Sequence, residues 1–118
     1  MGQVVLVAED DASVRMTIEF VLNDEGFEVL LAEDGEQALQ IALDSKPDVI
    51  LLDQIMPKMD GKEVLTALRA DRSTRDIPVL VLTGMARGEP SEWPGATFVG
   101  KPFSPDALIA RIREVLAD

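Results

Sequence analysis

Val49-Ile50-Leu51-Leu52-Asp53 runs four apolar residues into a carboxylate, and Gln54-Ile55-Met56-Pro57-Lys58-Met59-Asp60-Gly61 follows at once. A short unbroken run of β-branched and leucine residues reads as a strand buried on both faces, the pattern of a parallel-sheet interior. Pro57 and Gly61 then punctuate a turn, and a helical pattern begins at Gly61. A buried strand therefore delivers Asp53 to the mouth of a sheet, and this strand is placed centrally.

The pattern repeats on either side. Residues 3–8 read as a buried strand that ends in Glu9-Asp10-Asp11. Asp11 or Ser13 caps a helix from about 12 to 25, with Val14, Thr17, Ile18, Val21 and Leu22 on one face and Gly26 as its stop. Phe27–Ala32 is a second strand. Asp34-Gly35 opens a helix with Ala38, Leu39, Ala42 and Leu43 inward, ended by Pro47. Helix 61–70 turns Val64, Leu65 and Leu68 inward; Ile77–Thr83 and Thr97–Gly100 are the fourth and fifth strands. Ser104 and Pro105 start a last helix with Leu108, Ile109, Ile112, Val115 and Leu116 as its stripe. Alternating strands and helices with short connections predict an α/β fold: a five-stranded parallel sheet, flavodoxin-like and doubly wound, order 2-1-3-4-5, helices on both faces. The site is expected at the carboxyl ends of the strands, near the switch point of strand order.

The chain has 118 residues, 47% of them hydrophobic, which fits one domain with a real core. The last helix reaches the C-terminus, so residues 1–118 are expected to be a single domain without an output domain. There is no cysteine, histidine or tyrosine. Thiolate metal sites, an imidazole base and a phosphohistidine are thereby excluded. The net charge of −11 disfavours direct binding to nucleic acid or to an anionic membrane. No basic leader and no span of membrane length is present in the sequence, and a cytoplasmic location is expected.

Four strand ends carry chemistry-bearing residues. Glu9 and Asp10 suit Mg²⁺, which takes one or two carboxylates and keeps several waters; they also suit a helix N-terminus, where the macrodipole favours acids. Asp53 is either a turn former or a carboxylate nucleophile for a phosphoryl group. Thr83 is either an ordinary β-branched strand residue or a hydroxyl donor to a phosphoryl oxygen. Lys101, ahead of Pro102, is either a surface cation or a partner for phosphoryl or carboxylate.

Taken together, Glu9-Asp10, the stretch Asp53–Gly61, Thr83-Gly84 and Lys101-Pro102-Phe103 resemble the receiver domain of two-component response regulators, over essentially the whole chain. The resemblance implies that Asp53 is the phosphoacceptor, charged by a histidine kinase, a histidine phosphotransfer protein or a small donor such as acetyl phosphate. It implies Mg²⁺ held by Glu9, Asp10, Asp53 and the backbone carbonyl of Ile55. It implies that Lys101 contacts the phosphoryl group, that the Lys101-Pro102 bond is cis, and that Thr83 and Phe98 are the switch pair. A downstream protein partner is implied, and the chain is a signalling protein rather than a turnover enzyme.

Departures from the family pattern are specific. The first acid is Glu9 rather than Asp, and Phe98 lacks a hydroxyl. The crossover between the fourth and fifth strands is short and rich in Gly and Pro, so the fourth helix is expected to be short or irregular, as in a stand-alone single-domain subset. Residues 84–96 are either a plain surface loop or a mobile segment that becomes ordered by phosphorylation or by a partner, with Trp93 as an anchor. Ile55 and Met85 are expected to shield an acyl phosphate from water. The rival from another class is a pseudo-receiver that only docks proteins; its mark is loss of the acids, the acceptor or the lysine, and all are present. A flavodoxin-like cofactor site would need a Ser/Thr/Gly-rich loop where Glu9-Asp10-Asp11 stands. A haloacid-dehalogenase-type phosphatase would need an acid at Ile55.

Overall fold

The computed structural model describes residues 3–83, 93, 95–100 and 103–117. The elements run β1 (Val4–Ala8), α1 (Ala12–Asp24), β2 (Glu28–Ala32), α2 (Gly35–Ser45), β3 (Val49–Asp53), α3 (Gly61–Ala70), β4 (Val79–Thr83), β5 (Ala96–Gly100) and α4 (Pro105–Ala117). All strand pairs are parallel, in the expected order β2-β1-β3-β4-β5. The crossover between β4 and β5, where an irregular fourth helix is expected, lies mostly outside the described residues, as do Met85, Lys101 and Pro102.

Strand parity sorts the core. On β1, β3 and β4, Leu6, Ala8, Ile50, Leu52, Val79 and Val81 face one way, against Ala38 and Ala42 of α2 and Val64, Leu65 and Leu68 of α3. Val5, Val7, Val49, Leu51, Leu80 and Leu82 face the other way, against Ile18 and Leu22 of α1 and Leu108, Ile109 and Ile112 of α4. Every residue of β3 and β4 is buried, so both carry continuous apolar runs without polar alternation. Most of the expected helix stripes are inward, with Val14, Val21, Val115 and Leu116 packed at the margins. Leu43 is only half-buried and belongs to neither cluster, and Thr17 is exposed, its hydroxyl donating back to the Ser13 carbonyl at 2.9 Å, a local bond that needs no core.

Helix ends follow local chemistry. Asp11 caps α1 by accepting from the Ser13 and Val14 amides. Gly26, at φ +92°, ends it, and the Phe27 amide donates to the Leu22 carbonyl at 3.0 Å. That bond draws Phe27 into the helix cap, so β2 begins at Glu28 rather than Phe27. Asp60 and Glu63 form a reciprocal capping box at the start of α3. At the other end of α3, Thr74 is buried and donates to the Leu68 carbonyl. Arg69 Nη1 donates to the carbonyls of Arg75 and Ile77 at 3.0 and 2.8 Å, and Nη2 to that of Gly95 at 3.4 Å. Burial lowers the pKa of its guanidinium and nearby Asp76 raises it in opposition. Arg69 thereby ties the approach to β5 onto α3.

Trp93, the expected anchor of residues 84–96, is among the described residues. It is 5% exposed and belongs to the core on the α2–α3 face.

Candidate phosphoryl-transfer site

The topology sends β1 to one side of the sheet and β3 onward to the other, leaving a crevice where their carboxyl ends meet. Glu9 and Asp10 follow β1, and Asp53 ends β3; their carboxylate oxygens lie within 4.8 Å of one another. Glu9 is 1% exposed and Asp53 8%, whereas Asp10 is open to solvent. Glu9 is oriented locally: its Oε2 accepts from the Asp11 amide at 3.1 Å. Arg15, one turn into α1, donates to the Glu9 carbonyl at 2.9 Å and the Asp10 carbonyl at 3.4 Å. Its charge thus holds the backbone of this acidic loop.

Three carboxylates gathered at such spacing, two of them buried, repel one another and favour a divalent cation with oxygen ligands. The donor set therefore fits Mg²⁺. Ile55 lies two residues past Asp53, its side chain 70% exposed.

The loop after Asp53 is held from both sides. Gly61 donates to the Gln54 carbonyl at 3.0 Å, and a Cβ at Gly61 would lie 2.5 Å from the Asp53 carbonyl oxygen. A Cβ at Gly35 would collide with the Met59 carbonyl, so the start of α2 touches the same loop. Lys58 takes a left-handed φ of 70°, and its Nζ stands 3.7 Å from Asp34 Oδ2. The Asp34–Lys58 pair left no mark in the sequence spacing.

Thr83 ends β4, 3% exposed, and its hydroxyl donates to the Gln54 side-chain oxygen. Gln54 is a site-lining residue that sequence reasoning missed; its only signal was a polar residue directly after the buried run. Phe98 is half-buried on β5, in register with Val81.

The chain matches the response regulator receiver domain family over residues 5–113 and belongs to it. It is 38% identical over 98% of its length to the phosphate regulon transcriptional regulatory protein PhoB of Pseudomonas aeruginosa, of which it covers 52%. The chain thus spans about half the length of such curated relatives. Among solved structures it resembles the chemotaxis protein CheY4 of Vibrio cholerae, with TM-score 0.90 and 32% identity, covering 98% of this chain and 99% of that one. It also resembles the receiver domain of the sensor histidine kinase PA1611 from Pseudomonas aeruginosa, whose active-site cleft coordinates a magnesium ion. That likeness has TM-score 0.91 and 29% identity, over the full length of both chains. No helix among the described residues is long and apolar enough to cross a membrane.

Proposed function

We propose that this chain is a phosphoacceptor in a two-component relay, with Asp53 as the residue modified. The observation that carries the reading is the gathering of the Glu9, Asp10 and Asp53 carboxylates within 4.8 Å at the ends of β1 and β3. An Asp53 oxygen attacks the phosphorus of a phosphohistidine. The O–P bond forms, the N–P bond breaks, and the electron pair leaves with the imidazole nitrogen. Bound Mg²⁺, held by Glu9, Asp10, Asp53 and the Ile55 carbonyl, would supply positive charge against the anionic oxygens. Lys101 is proposed to contact the phosphoryl group, on the strength of the Lys101-Pro102-Phe103 motif. Thr83 then turns its hydroxyl toward the phosphoryl oxygens and Phe98 packs inward, shifting a surface equilibrium that a partner reads.

The donor is proposed to be a histidine kinase or a histidine phosphotransfer protein, since the chain holds no histidine of its own. Incubation with acetyl phosphate and Mg²⁺ is expected to add one phosphoryl group to the wild type and none to Asp53→Asn, read by intact-protein mass. Absence of Mg²⁺-dependent labelling in the wild type would leave the docking-only reading in its place.

A further inference from the structure

We infer that Gln54 is a positioning residue that holds Thr83 in the unphosphorylated arrangement by offering its hydroxyl a competing acceptor. The inference rests on the phosphoacceptor reading of Asp53.

Pairing between β3 and β4 sets the geometry. Asp53 is in register with Leu82, and the Gln54 amide donates to the Leu82 carbonyl at 3.1 Å, so Gln54 comes alongside Thr83. Parity then places both side chains on one sheet face. Thr83 follows Val79 and Val81, and Gln54 follows Ile50 and Leu52, the residues that meet α2 and α3. There the Thr83 hydroxyl donates to the Gln54 side-chain oxygen.

A hydroxyl carries one proton. Donation to Gln54 and donation to a phosphoryl oxygen on Asp53 therefore exclude each other. The Gln54 backbone is held on both sides, which fixes the point from which its side chain reaches Thr83. Its amide is bound to Leu82 and its carbonyl accepts from Gly61 at 3.0 Å. Its Cα is crowded by the same glycine, where a Cβ would come within 3.1 Å. Thr83 is 3% exposed, so water competes poorly for its proton. Switching thus exchanges one acceptor for another, and the strength of the Gln54 bond sets part of the bias. A net neutral hydrogen bond corresponds to about a threefold to tenfold shift between the two arrangements.

The test is beryllofluoride binding in the presence of Mg²⁺, measured by calorimetry on the full chain. Gln54→Met keeps the length of the side chain and removes the amide oxygen; it is expected to tighten binding about threefold to tenfold. Gln54→Asn, too short to reach Thr83, is expected to act in the same direction, and serves if the methionine variant folds poorly. The gain is expected to vanish in a Thr83→Ala background, and the Thr83 methyl resonance of free Gln54→Met is expected to move toward its beryllofluoride-bound position. Equal or weaker binding by both Gln54 variants, or an equal gain without the Thr83 hydroxyl, overturns the role of Gln54 while leaving Asp53 as acceptor. A wild type that binds no beryllofluoride with Mg²⁺ overturns the phosphoacceptor reading, and the role of Gln54 with it.

Discussion

Trp93 meets Phe98 edge to face, with ring centroids 5.7 Å apart and planes at 75°. The indole is nearly buried, and it is the single tryptophan of the chain. The ring proposed to move on switching is therefore in contact with a second aromatic ring that roots the approach to β5 in the core. Replacing Trp93 by Ala removes a large buried side chain and this contact, and is expected to cost about 3–5 kcal/mol. Urea unfolding followed by far-UV circular dichroism checks it. A loss under about 1 kcal/mol would mean that the indole is not held in the core.

The three clustered carboxylates predict a stability signature. Like charges about 5 Å apart repel by about 1–3 kcal/mol at effective dielectrics between those of water and a protein surface. Asp53→Asn is accordingly expected to raise the melting temperature in EDTA. Mg²⁺ is expected to raise that of the wild type and to do so much less in the variant. Paired thermal melts with and without Mg²⁺ decide it; identical Mg²⁺ responses would count against a shared cation.

Gly61 is tested by its missing side chain. The Cβ of Gly61→Ala would press on the Asp53 carbonyl at 2.5 Å, which is backbone and yields little. A loss of about 1–3 kcal/mol is expected. Phosphoryl uptake from acetyl phosphate should fall as well, because relief of the clash moves the acceptor strand end. Unchanged stability and uptake would show that the loop relaxes freely.

Asp71 supplies a pH prediction away from the site. The Ser73 hydroxyl donates to Asp71 Oδ1 at 2.6 Å and the Ser73 amide at 2.8 Å. The hydroxyl bond foremost, then the amide, hold this carboxyl below its ordinary 3.8, with Lys46 adding in the same sense against a little desolvation. Folding therefore gains from Asp71 at pH above the unfolded value, and the gain is lost as pH falls through the lower folded value. Ser73→Ala is expected to move the Asp71 titration upward toward 3.8, read by carboxyl carbon NMR. An unmoved midpoint would contradict the assigned cause.

Much of the architecture was legible because local and global signals agree. The Val49–Leu52 run reads as a buried strand from composition alone, and Asp11 and Asp34 mark helix starts that the structure keeps. The acids after β1 and Asp53 at the end of β3 fall together because both strands end at the switch point. What stayed hidden depends on pairs distant in sequence. Thr17 fits a helical stripe by spacing, yet satisfies its hydroxyl on its own helix. Gln54 looks like a loop residue until strand pairing brings it beside Thr83. Trp93 sits in a Gly/Pro-rich stretch whose composition suggests surface, whereas its burial is set by Phe98 and the α2–α3 face.

The contact of Gly35 with Met59 has a mechanical consequence. Gly35 also donates to the Pro57 carbonyl at 3.4 Å, and Lys58 reaches Asp34, so the α2 entrance and the loop behind Asp53 are fastened at three successive residues. They form a strut. A load on either piece is shared by the other, so the loop behind Asp53 and the first turn of α2 behave as one stiff body.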